Sequence, residues 1–392
     1  MAKRPLLERF ALGYFDKLSS GAELRRDTRV HILDAEERGQ MRRIERSAIA
    51  KSALAGALSS VVSGAAEVYA DQAFPAAAGA AFNTLLVYWG IVLGATLVAS
   101  IFEIVYLYWD ALKSVHRMAA AAGLPLRTVE GEGIAVAMAR AALELPTPPN
   151  PVLGVDPRRE SSRVRLALIA LLYKGKIALT TFLLKVLIRR VVTRSAVRMA
   201  MYLPFLLPFL AVPVTALWNA VVTWYVVRES RIRALGPSAV QEAAAELLRD
   251  APANGPIREA MIRAVASSIV RTQDLHPNLH ELLLAVSAGV PPGSHLEVDS
   301  PQRFLELLPR LPVEAQRAVL RLLSVAAVID GRLTSREKRL VAEACAVTGI
   351  EIPARDLEEL RVAFVSGDGF HAEVLDILVP SAAPPAPLAQ AS

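Results

Sequence analysis

The sequence predicts an all-α protein: membrane-embedded helical hairpins followed by a soluble helical bundle. Three observations carry this. Residues 72–102 and 199–227 contain no Asp, Glu, Lys or Arg over 31 and 29 positions, and about 20 apolar residues suffice to cross a bilayer as a helix. Residues 229–380 instead space their apolar side chains three and four apart, the period of amphipathic helices with one buried face. Charge is divided the same way, with a net of +4 over residues 1–51, +7 over 52–228 and −5 over 229–392. A basic face beside apolar helices suits anionic headgroups. The whole chain is 53% hydrophobic and only 21% charged, with a mean hydropathy of +0.37, richer in apolar residues than an ordinary soluble domain. A nucleic-acid partner is not expected, because no soluble part interleaves basic and aromatic residues.

Residues 1–47 read as basic amphipathic helices, with Leu6, Leu7, Phe10, Leu12 and Phe15 at near-helical spacing, either packed on the body of the protein or lying on the membrane surface. The N-terminus has no apolar core segment and is not a signal peptide, which keeps it in the cytoplasm. Residues 48–112 read as a membrane hairpin. Its first limb is rich in Ala, Gly and Ser and suits close helix contact in lipid. Its second limb is the uncharged 72–102 stretch, and the tip lies near residues 70–75. Tyr106, Tyr108 and Trp109 supply an interfacial aromatic belt ahead of Asp110 and Lys113.

Residues 113–163 form a polar connection. Its eight Lys and Arg from Lys113 to Arg165 assign it to the cytoplasmic side of an inner (plasma) membrane. Residues 164–193 are apolar but carry Lys174, Lys176 and Lys185. Lysines at membrane depth are costly, so an interfacial helix is expected here. The 199–227 stretch holds Pro204, Pro208 and Pro213 and is flanked by arginines at both ends. A hairpin bent at the prolines and a kinked single span both satisfy it.

In the soluble part, helices are expected at 238–249, 257–272, 277–287, 301–308, 313–328, 335–348 and 354–364. Ser300-Pro301 reads as an N-cap with proline at the first helical position, and Thr334-Ser-Arg-Glu337 as a capping box. Residues 381–392 are a low-complexity, disordered tail. Cys345 is the only cysteine, which excludes an intrachain disulfide and reads as a small apolar side chain.

Signals for chemistry are sparse. The chain has no phosphate-binding glycine loop, no HExxH pair and no nucleophile elbow, so neither an enzyme nor a cofactor is expected. His276 and His280 stand four apart but lack a convincing third ligand, and read as surface residues at a helix start. Glu103 borders the longest uncharged run; its position suggests the interface, and an ionisable group at membrane depth is a functional candidate. Asn83 and Asn219 read as interhelical hydrogen-bonding residues.

The most informative local pattern runs from Leu320 to Cys345. An apolar helix ends at Asp330-Gly331, and a short turn leads into the capping box and a second helix. Gly331 can adopt the left-handed conformation that stops a helix, and Leu333 can pin the turn to the core. Residues 313–365 resemble the tellurite-resistance TerB-like domain, with Asp330, Gly331 and Glu337 on its motif. That resemblance implies a helical bundle of membrane-associated stress complexes, some of them linked to metal ions. Asp330 and Glu337 read first as caps, since few further acids cluster with them. Residues 48–235 weakly resemble the EcsC protein family through Lys176-Ile-Ala, Tyr202-Leu-Pro204 and Trp218-Asn219, although Phe205-Leu-Leu-Pro-Phe-Leu-Ala replaces the family's glycine run. This resemblance implies membrane association. The expected function is a non-enzymatic, membrane-anchored protein with a cytoplasmic helical interaction domain, engaging a lipid membrane and a protein partner or a second copy of itself, in envelope or stress response. The alternatives are a channel or transporter of oligomerised hairpins and a peripheral helical protein.

Overall fold

A computed structural model describes residues 6–19, 33–74, 82–124, 152–157, 209, 211–249, 251, 255–290, 298–370 and 372–378. Among these the protein is helical, and the one extended pairing is an isolated bridge between Val152 and Val155. The long helices are α2 (Ala35–Ala73), α3 (Phe82–Ala121) and α4 (Ala211–Leu247). A short α1 (Leu6–Ser19) precedes them. The remainder comprises α5 (Pro256–Thr272), α6 (Pro277–Ser287), α7 (Pro301–Leu307), α8 (Val313–Val328), α9 (Ser335–Thr348), α10 (Ala354–Ser366) and α11 (Ala372–Leu378).

Asp34 starts α2 with a capping box: its Oδ1 accepts from Glu37 N at 2.8 Å, and Glu37 Oε2 accepts from Asp34 N at 3.0 Å. The helix then runs 39 residues, about 60 Å at 1.5 Å per residue. It passes without a break through position 47/48, where composition alone divides the basic segment from the hairpin. Met41, Glu45, Ala48, Ser52, Gly56, Ser60 and Gly64 fall on its buried face. From Ser52 onward that face carries a small residue every fourth position, so a neighbouring backbone can come close. The neighbour is α4. A Cβ on Gly56 would stand 2.6 Å from Asn219 Nδ2 and 2.8 Å from Thr215 O.

Helix α2 runs antiparallel to both α3 and α4. Lys51 Nζ meets Asp110 Oδ1 at 3.4 Å, Arg231 Nε meets Glu45 Oε2 at 2.9 Å, and Ser60 Oγ meets Thr215 Oγ1 at 2.5 Å. Helices α2 and α3 are each long and apolar enough to cross a membrane, and together they form the expected hairpin; α2 runs to Ala73, so residues 70–73, where the tip is expected, are its last turn, and residues 75–81 lie outside the described residues. In α3 only 6% of the apolar window is buried inside the protein. A core helix of a soluble domain would be buried; here Leu86, Leu93, Leu97, Ile101, Phe102 and Val105 all face outward. Leu54, Leu58 and Val62 of α2 and Leu217, Val221 and Tyr225 of α4 extend the same belt.

Two segments differ from the sequence reading. Helix α3 continues to Ala121, so residues 113–121 are its last turns rather than part of an irregular connection. The expected helix at 238–249 is the second half of α4, which begins at Ala211. Pro213 is accommodated in the first turn, where its missing N–H would be unpaired anyway, whereas Pro237 interrupts the ladder at the Arg233 carbonyl without ending the helix. Pro204, Pro208 and the expected interfacial helix at 164–193 lie outside the described residues.

The helical domain is built around α5. Every residue from Ala260 to Val270 is buried, because Ala and Ser on its flanks let α6, α7, α8 and α9 pack on all sides. The predicted caps are present. Ser300 Oγ accepts from Arg303 N at 3.5 Å, and Thr334 and Glu337 form a capping box. Helix α1 is packed rather than free: Ala11, Leu12 and Phe15 are buried, and the Phe15 ring lies 6.3 Å from that of His116 on α3.

Candidate functional site

The residues singled out in the sequence occupy two places, joined by α4. The first is a polar seam inside the apolar belt. Asn219 of α4 is buried, and its Nδ2 donates to Glu103 Oε1 of α3 at 2.5 Å. Its carbonyl accepts from Ser52 Oγ of α2 at 3.2 Å. One turn away, Thr215 Oγ1 donates to Gly56 O at 3.2 Å. Three apolar helices are thus held by side chains of Ser, Thr, Asn and Glu, which can satisfy one another where water cannot. Glu103 lies seven residues, about 10 Å along the helix axis, from Asp110. It therefore sits within the belt rather than at its charged edge. Asn219 is the interhelical residue expected; Asn83 is exposed at the start of α3.

The second place is the turn between α8 and α9. Its conformation follows from Asp330-Gly331. Asp330 Oδ1 accepts from Arg332 N at 2.8 Å, and Gly331 takes φ +74°, a left-handed value that costs glycine little. The turn is pressed against α4, where a Cβ on Gly331 would stand 2.4 Å from Ile232 Cδ1. The Gly331 carbonyl accepts from Arg228 Nη2 at 3.2 Å and from Arg361 Nη1 at 3.3 Å. Leu333 packs against the core as expected. Arg228 and Glu229 are the first charged residues after the uncharged stretch, so the turn grips α4 where it leaves the belt.

Around this contact three carboxylates are buried or largely so. Burial alone would push Glu229 up, but the hydrogen bond from His276 and the guanidinium of Arg233 outweigh it and hold the carboxyl far below its usual range. Glu229 Oε1 is 3.2 Å from His276 Nε2 and 2.9 Å from Arg233 Nε. His276 is buried and caps α6, its Nδ1 accepting from Asn278 N at 3.2 Å. Nδ1 therefore keeps its lone pair, and the ring proton sits on Nε2, facing Glu229. The reading of His276 as a surface residue is corrected: its ring closes a gap between α4 and α6.

Glu337 is fully buried. Its Oε2 accepts from Thr334 N at 2.7 Å, while Oε1 has no partner among the described residues. Burial, together with the neighbouring Asp330 carboxylate, raises its pKa to about 8. Burial also raises Asp330. Such a pair holds a proton at neutral pH. Among the described residues no three His, Cys, Asp or Glu side chains are placed to hold a metal ion.

The structure therefore brings Asp330, Gly331 and Glu337 together and leaves Glu103 in the belt, with α4 linking them through Asn219 and Arg228. Sequence reasoning missed Glu229, Arg228, Arg361 and Asn278. Asn278 Nδ2 donates to Ile232 O at 2.9 Å and to Ile329 O at 2.8 Å, tying α4 to the end of α8. Only the abrupt Arg228-Glu229 step could have signalled this, because the partners lie 30 to 103 positions apart in sequence. Comparison of the chain with protein-family models, curated proteins and solved structures finds no match.

Proposed function

We propose that this is a non-enzymatic protein of the inner (plasma) membrane, whose cytoplasmic helical domain is an interaction module fixed rigidly to its membrane helices. The continuity of α4 carries this reading. One helix passes from the exposed apolar belt into the buried core of the domain, and the Asp330-Gly331 turn clamps it at the exit. A change in tilt of α4 would then move the domain rather than be absorbed by a linker.

The dimensions fit a bilayer. From Lys51 to Asp71, α2 spans about 30 Å, and from Tyr88 to Asp110, α3 spans about 33 Å. The hydrocarbon core is about 30 Å thick. Trp109 and Trp224 sit near the Lys51–Asp110 end, each beside a cation one turn further on: Lys113 Nζ is 4.8 Å from the Trp109 ring and Arg228 Cζ 5.7 Å from that of Trp224. This is the arrangement of an interfacial anchor. The excess of Lys and Arg at this end supports a cytoplasmic orientation for it. The resemblance of residues 313–365 to TerB-like domains supports a role in a membrane stress complex, and that of 48–235 to EcsC supports the anchor. A partner protein or a second copy would be the ligand of the helical domain.

Two fractionations test the reading. Alkaline carbonate should leave the full chain in the membrane pellet. Protease should digest the helical domain in inverted vesicles but not in right-side-out spheroplasts. Release by carbonate would show a peripheral protein, and digestion only from outside would reverse the topology.

A further inference from the structure

The belt edge at Lys51, Asp110 and Arg228 has a charge arrangement that anchoring alone does not require. Helices α2, α3 and α4 leave the belt side by side here. Each brings one acid near the edge, and each acid is turned inward and paired. Glu45 Oε2 meets Arg231 Nε at 2.9 Å, Asp110 Oδ1 meets Lys51 Nζ at 3.4 Å, and Glu229 is held by Arg233 and His276. The exposed charges left on α2 from Met41 to Lys51, and on α3 beyond Asp110, are Arg42, Arg43, Arg46 and Arg117. None of the four has a carboxylate partner among the described residues. Soluble surfaces intersperse both signs; this collar shows one.

Its height is informative. Arg46 lies about 8 Å beyond Lys51 along the axis and Arg117 about 10 Å beyond Asp110. The headgroup layer adds roughly 5–8 Å to each side of the hydrocarbon core, and arginine stems extend toward the phosphates. Lys113 and Arg228, held over the half-exposed rings of Trp109 and Trp224, form the inner row of the same surface.

We infer that this arginine collar is a binding surface for anionic phospholipid headgroups, which it selects over zwitterionic ones. The inference rests on the membrane reading above and names the lipid class. Turning every acid inward costs desolvation at three separate pairs, and what it gains is a surface of one sign that starts at the headgroups with Arg46 and Arg117 and continues outward to Arg43 and Arg42, about 12–14 Å beyond Lys51. A cation at an anionic surface is worth about fivefold in binding.

The experiment reconstitutes the full chain in vesicles of brominated phosphatidylglycerol mixed with phosphatidylcholine, and the converse, and follows quenching of the tryptophans in the belt. Brominated phosphatidylglycerol should bind about five times better than brominated phosphatidylcholine at low salt, and the preference should collapse in about 0.5 M salt, where screening acts within a few ångströms. In R42Q/R43Q/R46Q/R117Q it should approach parity, while the matching quadruple Arg→Lys chain, which keeps the charge, should retain it. Equal quenching by both lipids in the natural chain would overturn the inference, as would a preference unchanged in the glutamine variant. Quenching by neither lipid would instead overturn the membrane reading itself.

Discussion

Replacing Gly236 by alanine is expected to destabilise the helical domain by about 3 kcal/mol. A Cβ there would lie 2.1 Å from Asn278 Oδ1, 2.2 Å from Cγ and 2.7 Å from Nδ2. The amide cannot step aside cheaply. It is 1% exposed, and its Nδ2 donates to carbonyls on two different elements, Ile232 of α4 and Ile329 after α8. Leaving buried carbonyls unpaired costs about 1–3 kcal/mol each, against which the better helix propensity of alanine returns about 1 kcal/mol. The half-buried Cys345, the chain's only thiol, reports opening of the domain without any added probe. Its reaction with a thiol reagent should speed up by about a hundredfold in Gly236→Ala. In an Asn278→Ala background the same glycine replacement should add little, because the clash has gone. Simple additivity of the two changes would contradict the proposed lock.

The second large effect is a dependence on pH set by Glu337. Its folded-state pKa is raised to about 8 from an ordinary 4.5. Between these values the folded state holds a proton that the unfolded state has released. Stability from this group is therefore full below about pH 4.5 and is lost as pH rises through 8. Glu229 acts in the opposite direction at low pH: its depressed pKa gives stability that is present above its ordinary value and lost in acid. The domain should consequently be most stable in mildly acidic solution. Glu337→Gln keeps an oxygen for Thr334 N and places an NH₂ where Oε1 now lacks a partner. It should remove the loss between about pH 4.5 and 8, gaining about 4 kcal/mol at pH 9 with little change at pH 5. Glu337→Ala, which also forfeits the capping box, should be less stable at every pH, by about 1 kcal/mol or more. A Glu337→Gln chain whose stability still fell with rising pH would show that the buried pair does not hold the proton.

Much of this architecture was legible in the sequence because it follows from local rules. Helices 277–287, 313–328 and 335–348 coincide with α6, α8 and α9, since apolar period, caps and glycine stops all agree there. Asp330, Gly331 and Glu337 were recognisable as a turn and a capping box for the same reason. What escaped was long-range. Nothing near Glu229 announces His276, and nothing near Gly331 announces Arg228 or Arg361, because a guanidinium's partner is fixed by packing rather than by spacing. Helix α4 was divided at 228 because composition changes abruptly there, yet backbone hydrogen bonding is indifferent to that change. His276 was misread because a histidine before proline commonly marks an exposed helix start, whereas here the ring's second nitrogen faces the Glu229 carboxylate.

The central claim is that the belt on α2, α3 and α4 faces lipid while α5 to α10 face water. Site-directed spin labels on a Cys345→Ser chain in bilayers measure this directly, through relaxation by oxygen, which concentrates in lipid, and by a polar nickel chelate, which does not. At Leu93, Leu97 and Leu217 oxygen should dominate; at Leu284, Val347 and Val362, all exposed on the helical domain, the nickel chelate should. Access of the nickel chelate to the α3 positions, or shielding of those positions from both reagents as in the core of a soluble protein, would contradict the account.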